Sequence, residues 1–209
     1  MRRTFEIGGL VAAAVLVAFG IAAIVMGING RNTVNSSLKQ EYIVGTPDMN
    51  KTAIAAEAKK AGLPASIKLP TADIAGKPIT NGTLAREFAT YMRIHTLEAT
   101  GGLTYSQMPR YATADGKGTN DATKALTSKG QPVDNPARNL WVTETALTTA
   151  LNTSYMAEQL SLFGIVVGVA LLLAGVGFGI LSVSGALRNP NPAFSFARRG
   201  TKRSVVPVA

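Results

Sequence analysis

The run Ser161–Leu187 (SLFGIVVGVALLLAGVGFGILSVSGAL) is 27 residues long and holds no charged side chain. At about 1.5 Å of rise per residue, a helix of that length reaches roughly 40 Å, more than the ~30 Å hydrocarbon core of a bilayer. A core helix of a soluble protein would show a polar face over such a distance, and this one has none. The run therefore reads as a membrane-spanning helix. A second run, Ile7–Ile28, has 22 uncharged residues and follows Arg2 and Arg3. A cleaved signal peptide carries only about 7–15 apolar residues before a small-residue cleavage site. Here the run is longer and no A-x-A sits just beyond it, so a retained span is expected.

Net charge sharpens the layout. The chain of 209 residues carries +9, of which +6 lies on the ends (seven basic residues against Glu6) and +3 on the middle. Charge concentrated beside spans is a topology determinant and headgroup anchor rather than a nucleic-acid patch. Basic residues flank the outer ends of both runs, which places both termini in the cytoplasm. The expected order is a cytoplasmic N-terminus (1–6), a first span (7–28), an extracytoplasmic domain (29–160), a second span (161–187) and a basic cytoplasmic tail (188–209). In that tail Arg188, Arg198, Arg199, Lys202 and Arg203 are the candidate lipid-headgroup residues. The expected fold is mostly α: two transmembrane helices with a small α-rich extracytoplasmic domain inserted between them. About 130 residues between the spans suffice for one modest domain.

Several chemistries are excluded at this level. With no cysteine there are no disulfides, thiolate metal sites or cysteine nucleophiles. Neither span contains Asp, Glu, Lys, Arg or His, the groups that ion and proton pathways need at membrane depth. What the spans do contain is small residues: Gly164 and Gly168, then Gly175 and Gly179, and in the first span Gly9 with Ala13 and Ala23 with Gly27. Such positions let helix backbones approach closely, against each other or against a larger partner, although glycine is also simply common in membrane helices.

Between the spans, Thr46-Pro47-Asp48 reads as a helix start running to Ala61, with Ile54, Ala58 and Ala61 on one face. Ile67–Ile79 is broken by Pro70, Gly76 and Pro78 and reads as extended chain or an edge strand. Leu84–Ala99 is amphipathic, with Leu84, Phe88, Tyr91, Met92 and His95 on one face and Gly101-Gly102 as its stop. His95 is the only histidine, and Glu98 three residues on is its nearest candidate partner, so a packed ring is expected rather than a metal site or general base. Tyr111–Asn139 reads as a mobile surface loop. Its Asp115, Asn120 and Asp121 lack the order of a calcium loop, and GKGTN lacks phosphate-loop spacing. From Leu140 the helical pattern continues without proline into the second span, with Leu140, Leu147, Leu151, Tyr155 and Leu162 as its apolar stripe. Trp141 is expected inside the domain and Tyr155 at headgroup level. Sequons begin at Asn35, Asn50, Asn81 and Asn152, a number that chance explains in so Asn-rich a chain.

One stretch carries a likeness. AGKPITNGTLA, then a helix, then LEATGGLTYSQM, then a long helix into a glycine-rich span opened by Asn152-Thr153-Ser154, resembles an uncharacterised family of actinobacterial two-span membrane proteins. The matching positions are Gly76, Lys77, Pro78, Gly82, Ala99, Thr100, Gly101, Gly102, Thr104 and Tyr105. The resemblance covers both spans and about half of the outer domain, while Pro47–Ala61 and Tyr111–Asn139 look like additions. Some members carry the label of a ring-opening dioxygenase. A non-haem iron site needs about two histidines and a carboxylate, and this chain has one histidine.

The expectation is therefore a non-enzymatic accessory or scaffold subunit of a cell-envelope membrane complex, for example a respiratory assembly, with no cofactor and no metal. Its partners are membrane lipids and other membrane subunits or a second copy, not nucleic acid. The alternative is an extracytoplasmic binding or sensing module with Gly101, Gly102, Thr104 and Tyr105 as its recognition turn. An enzyme would have to draw on Tyr105, His95 and Glu98 in a shared pocket.

Overall fold

A computed structural model describes residues 2–184, with side chains from Thr4 onward. Helix accounts for 64% of it. Four helices follow in order: α1 (Arg2–Gln40), α2 (Lys51–Lys60), α3 (Gly82–Ala99) and α4 (Pro136–Val183). A two-residue antiparallel hairpin, β1 (Thr127–Ser128) with β2 (Gln131–Pro132), precedes α4. Both α1 and α4 are long and apolar enough to cross a membrane. The chain divides into two compact units, one from the described residues of 1–23 and 167–209, the other Ile24–Val166.

In the first unit α1 and α4 run antiparallel through small residues. A Cβ on Gly20 would lie 2.8 Å from the Gly168 carbonyl oxygen, and one on Gly175 would lie 2.8 Å from a Val17 methyl and 3.0 Å from the Ala13 carbonyl oxygen. Ala13, Gly20, Gly168, Gly175 and Ser182 are buried there. The working spacing is thus seven residues, not the four of the GxxxG pairs. Gly168 and Gly175 belong to the tight contact, whereas Gly164 is half-buried and Gly179 meets Ala13 only at an ordinary 3.8 Å. A strict seven-residue repeat keeps one stripe facing its partner with a slight left-handed supercoil.

The second unit continues the spacing at Gly27, where a Cβ would fall 2.6 Å from the Ser161 carbonyl oxygen. Gly27 is buried and Ala23, in the first unit, is half-buried. The core here joins Leu38 of α1, Ile54 and Ala58 of α2, Ala85, Ala89, Tyr91 and Ile94 of α3, and Leu151 of α4 with Met49, Ile74 and Ile79. A smaller cluster holds Leu97, Met108 and Trp141, whose Nε1–H donates to the Leu103 carbonyl at 2.8 Å.

Four sequence expectations are corrected. Helix α2 begins not at Pro47 but at Lys51, capped by Asn50, whose side chain accepts from the Ala53 N–H at 2.9 Å. Thr46–Met49 forms a turn instead, closed by the Met49 N–H on the Thr46 carbonyl at 3.0 Å, and this buries Met49. Of the two readings of Ile67–Ile79, extended chain or edge strand, the strand does not form. Only single bridges form, Gly45 to Ala75 and Val44 to Pro78. Side chains of α3 satisfy the segment's backbone in place of a ladder: Glu87 accepts from the Thr71 and Ala72 N–H groups, and the Tyr91 hydroxyl donates to the Ala72 carbonyl. Within 111–139 the chain folds a 3-10 turn (Ala122–Lys124) and the β1–β2 hairpin, and α4 starts four residues before Leu140. On α4 before Ser161 the buried positions are Trp141, Glu144, Leu151 and Glu158, while the stripe residues Leu140, Leu147 and Leu162 are exposed. The uninterrupted helix holds through the described residues, and α3 spans Gly82–Ala99 against the expected Leu84–Ala99.

Replacing Gly20 with Val should destabilise the helix pair by about 1–3 kcal/mol through overpacking. Gly177→Ala, which meets open space, should leave stability unchanged. Thermal midpoints in detergent micelles check both.

Candidate functional site

All candidate sites lie in the second unit and are assembled by α3. Its N-terminus is fixed first. Asn81 caps it by accepting from the Leu84 N–H at 2.9 Å. Gly82 lies so close to α4 that a Cβ would meet Tyr155 Cα at 2.7 Å and the Ser154 carbonyl oxygen at 2.8 Å. Glu158 of α4 accepts the Thr83 N–H at 3.1 Å and pairs with Arg31 Nε of α1 at 3.3 Å. Tyr155 lies under the Arg86 guanidinium, 4.5 Å from its ring centre.

From that anchor α3 turns two features outward. Phe88 and Met92, one turn apart, form a wall of an apolar groove of about 460 Å³. Leu38 and Ile43 form a second wall and Leu147 and Leu151 a third, with Ser37, Glu41 and Ser154 as the polar members. Leu147, read from sequence as part of the apolar stripe of α4, belongs to this open wall. The volume falls within the range of binding clefts, and Met92 supplies an adaptable surface.

The second feature is a histidine between carboxylates. His95 Nδ1 lies 2.6 Å from Glu57 Oε1 of α2, and Nε2 lies 3.6 Å from Asp48 Oδ2 in the turn before α2. Glu57 and Asp48, rather than Glu98, are therefore the partners of the ring. The three ligand atoms lie within 4.8 Å of one another, a set that could hold a metal ion. Burial pushes the Glu57 carboxyl up, reinforced by the neighbouring Glu98 carboxyl and opposed by His95. The Thr46 side-chain hydrogen bond holds the Asp48 carboxyl down. Sequence spacing cannot reveal this cluster, because its members meet only when α2 folds onto α3.

Two further recesses involve α4. The expected recognition turn is built by Gly101 and Gly102, both at positive φ, and by Thr104, whose N–H donates to Gln107 Oε1. Tyr105 stacks under Arg138 at 4.1 Å and lines a polar recess of about 340 Å³ with Arg110, Asp134 and Asn135. Tyr105 and His95 thus have different sets of neighbours. Glu144, which the sequence reading passed over, is 3% exposed and lines a recess with Arg93, Lys68 and Thr148. Its Oε1 has no hydrogen-bond partner, and burial pushes its carboxyl up against the pull of Arg93. Of the headgroup residues, Arg188, Arg198, Arg199, Lys202 and Arg203 lie outside the described residues.

No family model, curated protein or solved structure matches this chain.

The folded Glu144 carboxyl titrates above its unfolded value, so native stability falls as pH rises through the folded pKa. Glu144→Gln removes that loss. The variant should melt a few degrees above wild type at pH 7 and together with it near pH 4, read by thermal melts at the two values.

Proposed function

We propose that this chain is an integral membrane protein with two spans, acting without catalysis as an accessory or scaffold subunit of a cell-envelope membrane complex such as a respiratory assembly. The observation that carries the reading is apolar surface left open: only 17% and 11% of the most apolar windows of α1 and α4 are buried. Core helices of a soluble protein would be covered. These need lipid, or the spans of another subunit, around them.

In this reading Arg2, Arg3 and the basic tail face the cytoplasm, and residues 29–160 form an extracytoplasmic domain. The tail's Arg198, Arg199, Lys202 and Arg203 lie along the anionic inner leaflet. The partner is another membrane subunit, which lays an apolar helix into the groove of Phe88, Met92 and Leu147. The likeness at Gly76–Tyr105 supports membership of the two-span actinobacterial family. Gly82 admits no side chain, and Gly101 and Gly102 hold positive φ, so these positions answer to backbone geometry. A second reading, an extracytoplasmic module that binds an anionic ligand, is favoured by the Tyr105 recess with Arg110 and Arg138.

The chain has no cysteine, so single reporters are clean. A membrane-impermeant maleimide should label Ala114→Cys in intact cells and Arg199→Cys only after permeabilisation. Labelling of both from one side overturns the topology. Mild-detergent purification with mass spectrometry should recover a larger membrane protein in stoichiometric amount. Leu147→Arg, on an exposed wall, should remove that partner without lowering the thermal midpoint, and a wild-type preparation with no such partner refutes the scaffold reading.

A further inference from the structure

We propose that His95 and Asp48 bind a divalent transition-metal ion of the zinc type, with Glu57 orienting the imidazole. The argument starts from the two ring nitrogens. Nδ1, 2.6 Å from Glu57 Oε1, is at hydrogen-bond distance from a carboxylate, which can only accept when ionised. In the neutral ring with Glu57 ionised, Nδ1–H donates to Glu57 and Nε2 presents its lone pair. That Nε2 is buried and has no hydrogen-bond partner. Asp48 Oδ2 stands 3.6 Å from it, beyond a good hydrogen bond. Donor atoms about 2.1 Å from one zinc ion at a tetrahedral angle are about 3.4 Å apart, so the observed gap is close to the size of a shared ion.

The carboxylate–imidazole–metal order is the usual arrangement around a ligating histidine, in which the outer carboxylate fixes the tautomer. Charge favours the same occupant. Two carboxylates, Asp48 and Glu57, flank one imidazole. Among the described residues the ion pairs of Asp48 and Glu57 are with His95 alone. The Asp48 side chain is 52% exposed, which leaves a path for the ion and room for water in its remaining positions. Such an ion ties the turn before α2 to the fourth turn of α3.

The test titrates Zn²⁺ alone into the full-length protein in detergent, against a chromophoric chelator. One ion per chain is expected. Because His95 is the only histidine, its ¹⁵N resonances are unambiguous: zinc should move Nε2 and leave Nδ1 protonated. His95→Asn should abolish uptake. Asp48→Asn, at an exposed turn that leaves the fold intact, should weaken it at least tenfold, and Glu57→Gln about 10–100-fold. No uptake by wild type, an unmoved Nε2 resonance, or an Asp48→Asn variant that binds like wild type overturns the proposal.

Discussion

A single carboxylate fixes the position of α3. Glu158 is 5% exposed, and an ionised acid in that setting is costly unless both oxygens are engaged. They are: one faces Arg31 of α1, the other the Thr83 N–H in the first turn of α3. The second contact also places negative charge at the positive end of the α3 dipole. Three helices thus meet at one side chain, and the glycine at position 82 lets α3 come close enough to reach it. Phe88 and Met92 follow about one and a half and two and a half turns beyond Thr83, and His95 lies about 18 Å from it along the axis at 1.5 Å per residue. The groove and the histidine cluster are consequences of that anchorage.

The same economy of space governs the long helices. Small residues at seven-residue spacing meet the partner helix, and the large apolar side chains point outward: Phe19 and Val25 on α1, Phe163, Leu173 and Ile180 on α4 are all exposed. A soluble protein places its large apolar residues inside and its small ones anywhere. Here the order is inverted, an arrangement that suits two helices long and apolar enough to cross a membrane, where close backbone approach distinguishes one neighbour from another.

These features differ in how far the sequence could reveal them. The two apolar runs, α3 and the unbroken α4 were legible, because each depends on a local property: length without charge, period, or the absence of proline. The packing stripe was only half legible. Gly168 and Gly175 stand four from one glycine and seven from each other, and nothing in the chain alone says which spacing meets a partner. The buried face of α4 was misread for a physical reason. It runs through Trp141, Glu144, Leu151 and Glu158, and two of those four are acids that an apolar-periodicity argument assigns to solvent. The start of α2 was displaced because Thr46 and Asn50 are both good caps, and the burial of Met49 decides between them. Partners of His95 lie 38 residues and more away in the chain, where spacing carries no information.

What separates a structural acid from a functional one in this domain is compensation. Glu158 has a cation, a backbone donor and a helix terminus, and each of its oxygens is engaged, so nothing remains for a ligand to do. Glu87 is likewise engaged on both oxygens by the Thr71–Ala72 segment. Glu144 and the Glu57–His95 pair differ. In each a buried polar atom lacks a partner, Oε1 of Glu144 and Nε2 of His95. Leaving such an atom unsatisfied costs about 1–3 kcal/mol, a large share of what a domain of this size can spare. For Glu144 protonation relieves part of that cost. An imidazole already oriented by Glu57 has a different remedy, a positive ion on its free nitrogen, and it is the histidine rather than either better-buried glutamate that the fold leaves ready to bind.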